Sequence, residues 1–249
     1  MFIKEYKNIV IKIGSSTVIW LKENNLFENF ILDISFVMNF AQVTLVTSGA
    51  IATARTILNM PKPTEISQKQ ALSSIGQIYL MQEYIDGFAK NNIKVGQILL
   101  TKNDISNAQS LVNLHSALNA LREMNAIPIL NENDAISTDE IKVGDNDTLA
   151  SHIARAINAD LLIILTDVNG VYDSNPNENP NAKLITQTNG IQEQYAGEVS
   201  TEFGSGGIET KIRAGNFAIE HGFSAIITNG RKMNAITTIS QGNCTIFSK

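Results

Sequence analysis

One cysteine, five prolines, one tryptophan and three histidines are spread over 249 residues, and these scarcities remove whole classes of protein. Cys244 alone can form neither an intrachain disulfide nor a cysteine-based zinc cluster, which fits a reducing compartment. His115, His152 and His221 lack the spacing of metal ligands, so no protein metal site is expected and all three read as structural. No Ser-His-Asp or Cys-His arrangement offers a nucleophile. Apolar runs never approach the roughly 20 residues that a membrane helix needs, and Met1 to Lys7 has no signal-peptide core. A cytoplasmic protein with no membrane contact is the expectation. An excess of positive charge is missing as well: the formal net charge of -5 supplies no basic field for nucleic acid. Internal repeats, low-complexity segments and a dividing linker are also absent.

What is present is a regular alternation. Short apolar runs occur at Ile9 to Ile13, Val43 to Val46, Val95 to Leu99, Ile127 to Leu130, Leu161 to Leu165, Ala225 to Thr228 and Cys244 to Phe247. Between them lie stretches with helical spacing, such as Leu72, Ile75, Gln77, Leu80, Tyr84 and Phe88, or Leu111, Leu114, Leu118, Leu121 and Met124. Strands alternating with helices predict an α/β fold, a mainly parallel sheet covered by helices on both faces. Such sheets collect ligands at the carboxyl ends of their strands. Those ends carry Gly14-Ser15, Thr47-Ser48-Gly49-Ala50, Asn131-Glu132-Asn133-Asp134 and Thr166-Asp167.

Two lysines stand beside glycine turns. Lys211 falls in the first turn of an expected helix behind Gly204-Ser205-Gly206-Gly207, where backbone N–H groups, the helix terminus and an ammonium would together hold a polyphosphate. Lys12 closes the first strand before Gly14. A Walker A loop wants glycine before its lysine, where Thr210 stands, and a dinucleotide fingerprint wants its glycines after the first strand. Neither fits. Ser48 is expected to cap the helix after the second strand and also to hold a small carboxylate there. Thr166-Asp167, before the turn at Gly170, reads as a nucleotide contact rather than a bare turn. Gly144 to Ala150 fails as an EF-hand, because Leu149 occupies a ligand position; a capped helix presenting Asn146 and Asp147 to the cleft fits better.

Taken in order, Lys12-Ile13-Gly14-Ser15-Ser16, Val46 to Ile51, Asn131 to Asp134, Val143 to Asp147, Leu165-Thr166-Asp167 and Gly204 to Lys211 resemble the glutamate 5-kinases of the amino acid kinase family, across almost the whole chain. The resemblance implies a three-layer αβα sandwich, residues 1–249 as one kinase domain with a substrate half near 1–150 and a nucleotide half near 151–249. It implies ATP-dependent phosphorylation of the L-glutamate side-chain carboxylate, with Mg²⁺ carried on the nucleotide. Lys12, Asp147 and Lys211 would be catalytic, Asp147 holding the two lysines. Ser48, Gly49, Asp134 and Asn146 would bind glutamate. Lys12, Gly14, Thr166, Asp167, Ser205, Gly206, Gly207, Ile208, Glu209, Thr210 and Lys211 would bind ATP. A dimer or tetramer is expected, as is feedback by proline, with the segment from Asn59 to Gln70 as its candidate site. Many members carry a C-terminal PUA domain; this chain ends at Lys249, right after its last expected strand, so that domain is expected to be absent.

Overall fold

A computed structural model describes residues 2–137, 146–176, 178–191 and 207–248. Its strands are β1 (Asn8–Ile13), β2 (Gln42–Val46), β3 (Lys94–Leu100), β4 (Ala126–Glu132), β5 (Leu161–Thr166), β6 (Gln187–Thr188), β7 (Ser224–Asn229) and β8 (Thr245–Phe247). They form one sheet in the order β3-β4-β2-β1-β5-β7-β8-β6, parallel throughout except between β7 and β8. Every apolar run named from sequence is a strand. β6 was not anticipated, because two residues are too short for any periodicity to register.

The helices are α1 (Ser15–Glu23), α2 (Phe27–Val37), α3 (Ala50–Leu58), α4 (Ile66–Ala89), α5 (Lys102–Ser106), α6 (Ala108–Glu123), α7 (Asn146–Ala156) and α8 (Ile208–Glu220). Successive strand side chains point to opposite faces, so β1 splits its residues between two cores. Ile9, Ile11 and Ile13 pack with Leu21, Phe30, Ile34, Leu80 and Tyr84 from α1, α2 and α4. Val10 packs with Leu118, Leu149, Ile153, Ile212 and Ala218 from α6, α7 and α8. Helices therefore cover both faces, which makes the three-layer αβα sandwich. Lys12 is on the Val10 side, the side of α7 and α8.

Helix α4 departs from the single stripe expected of it. Leu72, Gln77, Leu80, Tyr84 and Phe88 are buried, but Ile75 is 38% exposed, and Ile78 and Tyr79, three and four residues on, are exposed too. The helix thus has a second, outward apolar face. Its inward face comes unusually close to α3: a Cβ on Gly76 would lie 1.8 Å from the carbonyl oxygen of Ala50, so only glycine permits this approach.

Asparagine closes most of the helices. Asn25, Asn59, Asn92, Asn125 and Asn158 all have positive φ and follow α1, α3, α4, α6 and α7. Next to four of them the following N–H reaches back five residues, as in Ala159 to Ala154 O at 2.8 Å and Leu26 to Leu21 O at 2.8 Å. That is the helix-ending turn usually supplied by glycine, with asparagine as the residue that best tolerates it otherwise. Only α8 ends on glycine among these, at Gly222.

Candidate active site

The strand order sets out the site before any side chain is considered. Two parallel ladders meet on β1: Lys12 pairs with Val46 of β2 on one side and with Ile164 of β5 on the other. Chain order runs away from β1 in both directions, and a crevice forms where it reverses. Carboxyl ends then line up as Asp134 after β4, Ser48 after β2, Lys12 on β1, Thr166 on β5 and Asn229 on β7. Lys12 stands in the middle of that row.

Asp147, in the first turn of α7, reaches the centre from the Val10 side. Its Oδ1 lies 2.5 Å from Lys12 Nζ and its Oδ2 3.1 Å from Lys211 Nζ. Carboxylate C–O bonds are about 1.25 Å, so the two ammonium nitrogens are within about 8 Å of each other. Lys12, Asp147 and Lys211 are 6%, 1% and 7% exposed, so among the described residues this buried cluster sets two positive charges on one carboxylate. Burial alone would raise the Asp147 carboxyl, but Lys12 and Lys211, helped by Thr210 Oγ1 at 2.8 Å, hold it well below the usual carboxylate range. It is ionised under all ordinary conditions.

The lysines keep backbone anion sites next to them. Gly14 caps α1 without a side-chain hydrogen bond, and a Cβ there would be 3.5 Å from Lys12 Nζ. Gly207 caps α8 likewise, with open space where a side chain would be. Two helix N-termini and two ammonium groups thus belong to one region, suited to phosphate oxygens. Ser205 and Gly206 lie outside the described residues, as do Gly144 and Asp145. Ile208 packs against the core, and Glu209 is exposed with Arg213 4.0 Å away, so neither side chain joins the cluster.

On the β2/β4 side, Asn146 gathers the pocket. Its Nδ2 donates to Thr47 O at 3.0 Å, Ser48 Oγ at 2.5 Å and Asn131 Oδ1 at 3.2 Å, while its own Oδ1 is buried with no hydrogen-bond partner among the described residues. Ser48 is not the helix cap expected from sequence. The chain leaves β2 through a left-handed turn at Gly49, φ 108°, and Gly49 itself caps α3 with no side-chain bond. Glycine makes that turn without strain, which leaves the serine one residue too early to reach the helix N–H groups and directs it to Asn146 instead. Asp134, half-buried beside Glu132, is pushed up to about 6 by burial and by that neighbouring charge, against a hydrogen bond from Ser73 at 3.3 Å.

On the β5/β7 side, Thr166 Oγ1 donates to Asp167 Oδ1 at 3.1 Å, and Arg231 pairs with Asp167 Oδ2 at 3.5 Å. The turn after β7 holds itself together, Arg231 N donating to Asn229 Oδ1 at 2.8 Å and Asn229 Nδ2 to Asn169 Oδ1 at 3.2 Å. Sequence reading missed Arg231 and Asn229, although they too follow a strand's carboxyl end. It also missed Ser73 and Gln77, for which the signal was a polar residue on the buried stripe of a helix. Among the described residues no group of three His, Cys, Asp or Glu side chains could hold a metal ion, and no helix is long and apolar enough to cross a membrane.

A model of the amino acid kinase family matches residues 7–229 of the sequence. The chain belongs to the amino acid kinase family. Glutamate 5-kinase of Clostridium acetobutylicum is 42% identical over 246 residues, spanning 96% of this chain and 92% of that protein. Glutamate 5-kinase of Bartonella henselae is 38% identical over 251 residues; the match spans 95% of this chain but 65% of that longer protein. In three dimensions the fold is shared with UMP kinase from Ureaplasma parvum, at TM-score 0.62 and 18% identity over 98% of this chain and 99% of that one. It is shared equally with carbamate kinase from Giardia lamblia bound to AMP-PNP, at TM-score 0.63 and 14% identity over 99% and 100% of the two chains. The folds match over essentially the full lengths of all three chains.

Proposed function

We propose that the protein transfers the γ-phosphoryl group of ATP to the side-chain carboxylate of L-glutamate, forming L-glutamyl 5-phosphate, the first step of proline biosynthesis. The observation that carries this reading is the pair of buried lysines from different parts of the chain on the one carboxylate of Asp147. Names of relatives at 42% and 38% identity support the choice of glutamate within the family. A carboxylate oxygen attacks the γ-phosphorus, the bond to the β-phosphate oxygen breaks, and ADP leaves. The nucleophile is already deprotonated at neutral pH, so the lack of a poised histidine is no obstacle.

The difficulty is electrostatic, since an anionic acceptor must meet an anionic donor. Two unit charges 4 Å apart interact by about 4 kcal/mol at an effective dielectric of 20, so two ammonium groups are of useful size. Lys12 and Lys211 flank the migrating group, and Asp147 sets their separation and offsets their mutual repulsion. Ser48, Gly49, Asn146 and Asp134 hold glutamate, Asp134 accepting from its ammonium. Gly14, Thr166, Asp167 and the stretch 205–211 hold ATP. Mg²⁺ would fit as an ion carried by the phosphates, since among the described residues no group of three His, Cys, Asp or Glu side chains could hold it. When bound it supplies further neutralisation of phosphate charge.

The remaining parts of the reading are of the same kind. Residues 1–249 act as one kinase domain with a glutamate half and an ATP half meeting at β1, working in the cytoplasm. Exposed Ile57, Leu58, Ile75, Ile78 and Tyr79 on α3 and α4 support a homo-oligomer. Proline would compete at the glutamate side, with the mostly exposed segment from Asn59 to Gln70, which runs from the end of α3 into the first turn of α4, as the element that responds. Incubation with ATP and L-glutamate, trapping of the acyl phosphate by hydroxylamine and coupled detection of ADP test the central claim. Hydroxamate formed with glutamate and not with other carboxylates is the expected result; ADP release on a different acceptor would make this another phosphotransferase of the family, and none at all would make it a nucleotide sensor.

A further inference from the structure

A chain of amides crosses from α4 into the pocket. Gln77 Oε1 accepts from Asn131 Nδ2 at 2.8 Å, Asn131 Oδ1 accepts from Asn146 Nδ2 at 3.2 Å, and Asn146 Nδ2 also meets Ser48 Oγ. The polarity of this chain is fixed by two backbone groups that cannot reverse. The Glu132 N–H donates to Asn131 Oδ1 at 2.9 Å, which turns Asn131 Nδ2 toward Gln77. Thr47 O accepts from Asn146 Nδ2 at 3.0 Å, which turns Asn146 Oδ1 away from the network. Between these anchors every amide has one orientation.

Two atoms are left over among the described residues. Asn146 Oδ1 is a buried acceptor without a donor there, and Gln77 Nε2 a buried donor without an acceptor. An unsatisfied buried polar atom has given up its water without a bond in return, which is destabilising. Gln77 is 8% exposed on the core side of α4, where leucine or methionine would fill the space at no such cost. A packing role does not account for glutamine at this position; the bond to Asn131 does. Asn131, 2% exposed, has no other partner for its Nδ2 among the described residues, so without Gln77 that buried donor would draw the amide out of line. Gly76 makes the arrangement reachable, because its missing side chain lets α4 rest on Ala50 at the mouth of the pocket.

We infer that Gln77 is a positioning residue for the acceptor substrate: through Asn131 it holds Asn146 so that Oδ1 presents a lone acceptor to the substrate's ammonium. The inference rests on the glutamate reading and extends it. Asn146 Oδ1 and the Asp134 carboxylate then form a two-acceptor cradle for one cation, and the pocket selects a dicarboxylic acid bearing an amino group over one without. Gln77 touches neither nucleotide nor phosphoryl group, so its influence is confined to acceptor binding.

The test is a double-mutant cycle of Gln77→Met and Asn146→Ala, with steady-state kinetics on L-glutamate and on glutarate, which lacks the amino group. Gln77→Met is expected to raise the glutamate KM about 10-fold while kcat and the ATP KM stay within about 3-fold. The KM for glutarate should be unmoved. In the Asn146→Ala background the same substitution should change the glutamate KM less than about 2-fold, because its route is already cut. Equal losses on glutamate and glutarate, additive effects in the cycle, or an unchanged KM in Gln77→Met would each overturn the inference. An unaltered ATP KM shows that the variant is folded. Were Gln77→Met to unfold, Gln77→Leu and Asn131→Ala give the same comparison from the other side of the bond. Absence of glutamate turnover in the unmodified protein would remove the functional reading itself, which is distinguishable from an active enzyme indifferent to Gln77.

Discussion

Lys12 and Asp147 are 135 positions apart in the chain, yet their charged groups lie 2.5 Å apart and almost entirely out of water. A buried ion pair of this kind is poor support for stability, since desolvation consumes most of the attraction. Its arrangement with Lys211 on the opposite carboxylate oxygen makes sense as a fixed distance between two cations.

Lys12→Met and Lys211→Met should each lower kcat by about 10²–10³, with cooperative thermal unfolding retained. Asp147 keeps one lysine in either variant, which limits the structural damage. Turnover within a few-fold of the unmodified enzyme would take that lysine out of the mechanism.

Acidification should weaken glutamate binding through Asp134. Its carboxyl is raised to about 6, so below that pH it becomes a neutral acid and stops accepting from an ammonium. The glutamate KM is expected to rise toward 10-fold per unit below pH 6 while the ATP KM stays flat, and Asp134→Asn should lose the dependence. The stability effect has the opposite sense. Asp134 binds its proton more tightly folded than unfolded, so it favours the fold below its ordinary value of 3.8, and that contribution is lost as pH rises through about 6.

Ser48→Ala separates capping from binding. Loss of a serine cap costs about 1 kcal/mol, but here Gly49 occupies the cap and Ser48 bonds Asn146. The denaturation midpoint should therefore barely move while the glutamate KM rises several-fold. A clear loss of stability without a KM change would return Ser48 to the capping role.

Gly76→Ala tests the contact between α4 and α3. One added methyl group would meet Ala50 O at 1.8 Å, and backbone must shift to admit it. A loss of about 3 kcal/mol or more in urea unfolding is expected, together with a higher glutamate KM, since the same contact carries Gln77 to Asn131.

Much of this was readable in advance, and for identifiable reasons. β1 and β5 are short apolar runs ending in small or polar residues, and burial on both faces imposes that pattern regardless of what surrounds them. The spacing of Lys211 behind its glycines is likewise local. Ser48 misled because capping depends on one backbone torsion: the left-handed turn falls on Gly49, and side-chain type alone does not say which residue takes it. Arg231 and Gln77 were overlooked for a different reason. Arg231 meets Asp167 only because β5 and β7 are neighbours in the sheet, and Gln77 meets Asn131 only because Gly76 lets two helices touch. Such pairings are products of the tertiary arrangement: the helical stripe shows that Gln77 is turned inward, but not what it meets there.

The asparagine helix endings separate durability from chemistry. Asn92, Asn125 and Asn158 lead directly into β3, β4 and β5, at the amino ends of the strands. Lys12, Asp134 and Thr166 gather at the far ends, and a six-residue strand at about 3.3 Å per residue keeps the two edges roughly 20 Å apart. Glycine in those left-handed turns would relax a strained torsion at the back of the molecule. Thermal hardening of this kinase can thus proceed from one rim of the sheet while the opposite rim, where the lysines are set, stays as it is.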